Sequence, residues 1–116
     1  MYVASFGHSC LELRLKSTDV YIDIRDDAPA FESKKFGIDR KAQREYWKIE
    51  GSKAFYKEKV YAKVKKQLEK RKNARWRVFI GDELGKLVAV IMAERLERDL
   101  IKKHNIYPTL EHITLV

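Results

Sequence analysis

The sequence predicts an α/β fold, a mainly parallel open sheet of about four to five strands with helices packed on it. Three observations carry that expectation. Short runs rich in β-branched and aromatic residues, VYIDI from Val20 and WRVFI from Trp76, read as strands. Stretches with helical spacing separate them, which favours crossover connections between parallel strands. Finally, the segment from Arg75 to Ile101 reads as a strand, a loop holding Gly81, Gly85 and Lys86, and a helix. At 116 residues the chain has the length of one domain, 1–116, with a single modest core.

Taken in order, Tyr2 to Phe6 is a short apolar run closed by Gly7 and reads as the first strand. Leu11, Leu13 and Leu15 alternate with Glu12, Arg14 and Lys16, the period of a strand or an extended edge. Ser17, Thr18 and Asp19 mark a turn before the Val20–Ile24 strand, which ends in the polar cluster Asp23, Arg25, Asp26 and Asp27. In open α/β sheets, ligands sit at such carboxyl ends. Pro29 and the lack of any period make 28–36 a loop. Asp39 is placed to cap a helix from Arg40 to about Ile49, and Ser52 to cap the next. In the stretch from Lys53 to Lys72, Val60, Val64 and Leu68 recur every four residues, a helical signal. The helix from Lys86 is apolar nearly all round until Ala93, so its first half should be buried and its second half should lie at the surface. Asn105 and Pro108 end it, and 110–116 supplies a last strand.

Composition narrows the function classes. Hydrophobic residues make up 45% and charged residues 36%, which fits a globular chain rather than a disordered one. The formal net charge is +8, and it is concentrated. From Lys53 to Arg77, eleven Lys and Arg stand against Glu58 and Glu69, a net +9 that accounts for the whole excess. Such a segment favours an acidic partner, above all RNA or another nucleic acid. Lys57, Lys63, Lys65, Lys66, Lys70, Arg71, Lys72, Arg75 and Arg77 are its candidate phosphate contacts, with Tyr56, Tyr61 and Trp76 placed to stack on unpaired bases. Cys10 is the only cysteine, which excludes an intrachain disulfide and a thiolate metal cluster. No apolar run reaches the roughly 18 residues of a membrane span, so the expectation is a cytoplasmic protein with no membrane partner.

Catalytic motifs fail on their own requirements. Gly81-x3-Gly85-Lys86 lacks the fourth spacer of a P-loop, and Leu87 stands where magnesium needs a hydroxyl. Gly7-His8-Ser9-Cys10 holds nucleophile-like residues with no base identifiable from sequence, and reads as a strand-end turn with a buried cysteine. A zinc site would need His8 and His112 together with Asp23 or Asp82. No catalytic residue, cofactor or metal is therefore assigned. Asp23 and Arg25 read equally as an ion pair or as ligand contacts.

The turn Gly81-Asp82-Glu83-Leu84-Gly85-Lys86, followed by Val90 and Ala93-Glu94-Arg95-Leu96, resembles the C-terminal domain of the RapZ (RNase adapter protein) family. That family carries a Gly-Cys-Thr-Gly-Gly-Lys/Arg-His-Arg-Ser-Val loop before a helix. Ser5-Phe6-Gly7, Asp23-Ile24-Arg25, Gly37-Ile38-Asp39 and His112 with Thr114-Leu115 fall in the family's order. The resemblance spans nearly the whole chain, without the family's ATPase half. It implies an RNA-binding regulatory domain, a homo-oligomer, and an amino-sugar-phosphate site at His8, Arg25, Gly81, Gly85, Lys86 and His112. Here, however, Asp82, Leu87, Val88 and Ala89 replace the family's cysteine, histidine, arginine and serine, so its oxyanion clamp is lost. The expectation is a stand-alone, diverged, non-catalytic RNA-binding domain with a degenerate phosphate loop. The alternatives are a sugar-phosphate or nucleotide binder or enzyme at the strand-end cleft, and a basic module that docks an acidic host protein. A free-standing copy of this kind fits a phage or mobile element.

Overall fold

The computed structural model describes residues 1–115. Four strands, β1 (Tyr2–Gly7), β2 (Val20–Asp23), β3 (Arg77–Asp82) and β4 (Thr109–His112), form one sheet in the order β2-β3-β1-β4. Every pairing is parallel, as the alternation of strands and helical stretches predicts. β1 sits between β3 and β4 with Phe6 opposite Gly81 and Ser5 opposite His112.

The helices are α1 (Arg40–Trp47), α2 (Ser52–Phe55), a π-helical segment Tyr56–Tyr61 that runs on into α3 (Ala62–Lys70), and α4 (Val88–His104). Asp39 caps α1 as expected, its carboxylate accepting from Lys41 N at 2.9 Å and Ala42 N at 3.1 Å. Ser52 does not cap α2. Gly51, at φ +83°, opens that helix, and the Ser52 hydroxyl turns back to donate to the Ile49 carbonyl at 2.8 Å.

The π-helical segment follows from the four-residue spacing. Ser52, Tyr56, Val60 and Val64 are all buried, although four residues overshoot an α turn by about 40° per step. Three such steps would carry Val64 off the core. The wider i→i+5 turn absorbs the excess and keeps all four on one face.

The core lies on one side of the sheet. Val3, Val20, Ile22, Val78 and Ile80 face Tyr46, Tyr56, Val60, Val64 and the Ala89–Ala93, Leu96 and Leu100 side of α4. The first half of α4 is buried nearly all round, and its second half keeps only Leu96, Asp99 and Leu100 inside. On the other face, Ala4, Phe6 and Phe79 form a thin second cluster covered by Tyr2, Leu13, Tyr21 and Ile113, with no α-helix on it among the described residues. Parallel sheets usually have both faces covered. Two stretches differ, one expected as a strand or an extended edge and the other as a strand. Residues 11–16 form no strand and instead cross that open face. β4 stops at His112 and the chain turns into a 3-10 helix, Ile113–Leu115; Val116 lies outside the described residues.

Candidate functional site

The loop after β3 is filled by the protein's own carboxylate. Asp82 ends β3, and its side chain accepts from the Gly85 amide and, at 2.8 Å, from the Ala89 amide at the start of α4. Two of the N–H groups that would face a phosphate there, those of Gly85 and Ala89, are therefore already bonded to an anion. Gly85, at φ +70°, makes this turn possible. A Cβ there would lie 2.3 Å from Gly7 N and 2.5 Å from Phe6 C. Lys86 is exposed.

His8 and His112, paired in the sequence reading, lie on opposite faces of the sheet. The His8 ring crosses β3 over Gly81, where a Cβ would sit 2.5 Å from His8 Cε1 and from Phe6 Cζ. Its Nδ1 contacts the Asp82 carbonyl at 2.9 Å, so Nδ1 carries the hydrogen, and Nε2 accepts from the Tyr21 hydroxyl. His112 faces the helical side. Its Nδ1 meets the buried Ser5 hydroxyl at 2.7 Å, and its Nε2 lies 3.8 Å from Glu94 Oε2. That contact holds the Glu94 carboxyl below its ordinary range. The two imidazoles cannot share a metal ion or a ligand. Ser5, His112 and Glu94 have nucleophile-like types, but Ser5 is fully buried under the sheet and reaches no substrate. Ser9 donates to the Glu83 carbonyl at 2.7 Å, and Cys10 is exposed rather than buried.

Asp23 and Arg25 form a forked ion pair at the end of β2, with Nε and Nη2 of Arg25 on the carboxylate at 2.7–3.2 Å. The guanidinium pulls the Asp23 carboxyl down to about 2. Arg25 stands between two depressions. One, of about 540 Å³, lies at the carboxyl ends of β2 and β3 under the 28–36 loop, with Lys34, Lys35, Lys86 and Phe36 in its walls. The other, of about 490 Å³, lies on the open face against Phe6, His8 and Tyr21. Of the six candidate ligand residues, His8, Gly81 and Arg25 belong together at the open face. Lys86 and Arg25 share the strand-end cleft, Gly85 is packed against Gly7, and His112 is remote.

The basic segment divides into internal and free cations. Lys63 Nζ donates to the Tyr21 carbonyl at 2.7 Å, and Arg71 donates to the Thr18 carbonyl at 2.7 Å while lying over Trp76. These two cover the outer edge of β2, whose carbonyls would otherwise invite pairing with another chain. Arg77 forks onto Asp19 at 2.9 and 2.7 Å and is held over Phe79. Those three candidates are structural. Lys57, Lys65, Lys66, Lys70, Lys72 and Arg75 are exposed and form no ion pair among the described residues. Lys59, Lys63 and Lys66 share a groove with Asp23, Asp27 and Glu58, so the charge there is balanced. The interleaved aromatics are not presented for stacking. Tyr56 and Trp76 are buried, and Tyr61 is tied to His104 at 2.7 Å.

The sequence reading missed a second polar network, in which the Tyr56 hydroxyl donates to buried Asp99 at 2.6 Å beside Arg95 and Lys103. Its only trace in the sequence is an acid at a core-facing position of α4. No protein-family model matches this chain, and no curated protein matches it. No helix of the described residues is long and apolar enough to cross a membrane.

Proposed function

We propose that the chain is a non-catalytic RNA-binding domain whose contacts are Lys57, Lys65, Lys70, Lys72 and Arg75, with Lys66 at the rim. One observation carries the reading: these cations are exposed along the π–α3 helix and the turn after it, and none forms an ion pair among the described residues. The segment carries net +9, and with Lys63, Arg71 and Arg77 engaged internally the remaining exposed cations are the part free to meet phosphates. With its aromatic rings turned inward, the surface grips the sugar–phosphate backbone and takes no base by stacking.

A diverged RapZ C-terminal-like origin belongs to the same proposal. Gly81, Gly85 and Lys86 keep the places of the phosphate loop, while Asp82 closes it and leaves the basic surface as the binding element.

The test is fluorescence anisotropy with labelled RNA in about 50 mM salt, where phosphate contacts are strongest. Lys65→Glu/Lys70→Glu/Lys72→Glu should abolish binding, whereas Lys102→Glu/Lys103→Glu at the far end of α4 should leave most of it. Equal losses from both variants would point to general charge attraction and would overturn the assignment of this surface.

A further inference from the structure

We infer that the groove on the open face of the sheet binds a small planar monocarboxylate, with the carboxylate on Arg25 and the ring between the leucine row and the aromatic floor. The inference stands apart from RNA binding and uses none of its residues. The groove, about 490 Å³, is within the size range of small-molecule sites. It lies at the carboxyl ends of β1 and β2, where parallel sheets place their ligands.

Its two walls are apolar and meet at Leu13, which packs against the Ala4, Phe6 and Phe79 cluster. Leu11, Leu13 and Leu15 form one, Phe6, His8 and Tyr21 the other. Leu11 and Leu15 line the groove on either side of that contact and are still 37% and 43% exposed, so the space beside them is open. The floor is rigid. Phe6 and His8 lie 4.7 Å apart between ring centroids, and the His8–Tyr21 hydrogen bond locks both rings. Gly81 is what lets them cross β3. A flat, apolar ligand fits such a slot, because the leucines and the locked rings offer it apolar contact.

Arg25 supplies the charge. A guanidinium has five N–H donors, and Asp23 occupies only those on Nε and Nη2. The Nη1 edge donates to no residue among the described ones and can take a carboxylate in a charge-assisted pair. Asp23 holds that edge in place in advance, which lowers the cost of binding. Glu12 stands at the rim and disfavours a second negative charge, so the fit is to a monoanion.

The test is titration of the ¹⁵N-labelled chain with 2-naphthoate, followed by amide shifts. Saturable shifts centred on Leu11–Leu15, Tyr21 and Arg25 are expected, with Kd below about 1 mM. The neutral 2-naphthamide should bind about tenfold more weakly, and Arg25→Gln should weaken naphthoate by about the same factor. Leu15→Asp, an exposed position that leaves the fold intact, should abolish binding. No saturable shift up to about 5 mM would overturn the inference. So would shifts confined to the Lys34–Lys86 cleft, or naphthoate affinity unchanged in Arg25→Gln.

Discussion

The Asp82 carboxylate accepts the Ala89 amide at 2.8 Å, so the anion that the strand–loop–helix turn requires is covalently part of the chain. The same carboxylate also ties the Gly85 amide, which fixes the turn that brings Gly85 against Gly7. Asp82→Ala should cost about 1–2 kcal/mol, as loss of a helix cap does. In thermal unfolding that corresponds to a fall in Tm of about 5–10 °C. Because it bares the amides, inorganic phosphate should raise the variant's Tm more than that of the original chain. Equal responses would mean that Asp82 does not occupy an anion site.

Two glycines of this turn should respond differently to a methyl group. At Gly81 the added Cβ meets the ring atoms of His8 and Phe6, side chains that can shift at some loss of packing. At Gly85 it meets backbone of Gly7 and Phe6 at 2.3–2.5 Å, and φ is +70°. Gly81→Ala should cost about 1–3 kcal/mol, and Gly85→Ala should exceed it or fail to fold. Urea unfolding of the two variants ranks them, and the reverse order would contradict the packing described.

Acid should weaken the fold through four depressed carboxyl groups, Asp39 at the α1 cap, held down by the Ala42 amide, and three others. Arg77 holds Asp19 below its ordinary 3.8, Arg25 draws Asp23 to about 2, and His112 holds Glu94 below 4.5. A carboxyl depressed on folding stabilises fully above its unfolded pKa and loses that contribution as pH falls through its folded pKa. The expected window runs from about pH 4.5 down to about pH 2. Asp19 matters most, since its side chain is only 1% exposed and binds the Arg77 fork. Asp19→Asn should lower the urea midpoint at pH 7 and flatten its decline below pH 4.5. A variant with the parent's full acid dependence would remove Asp19 from this account.

Much of the fold could be read from the chain, because strand-forming runs such as VYIDI and the alternation with helices are local signals. The four-residue recurrence of Val60 and Val64 was visible too, but its consequence, the π-helical segment, depends on a core that holds every fourth residue inside. The leucine alternation at 11–15 looked like a strand. Only the structure shows that this segment pairs with none of the four strands and crosses the open face instead. The candidate site was legible by composition and not by assignment. Charge density marked 53–77, yet nothing local shows that Lys63 and Arg71 reach the β2 edge or that Arg77 reaches Asp19. These are contacts between residues some forty to sixty positions apart. For the same reason, His8 and His112 seemed neighbours at strand ends until the parity of each strand put them on opposite faces.

Our proposal is that exposed, unpaired lysines of α3 bind RNA phosphates. It is tested most directly by the salt dependence of RNA affinity. A plot of log affinity against log salt should be steep and linear, with each phosphate contact adding about −0.7 to −0.9 to the slope. Lys65→Gln/Lys70→Gln should reduce the slope by about two such contacts, while Lys63→Gln, whose amine serves the β2 edge, should leave it nearly unchanged. A flat plot, or an equal change of slope in the two variants, would contradict the account.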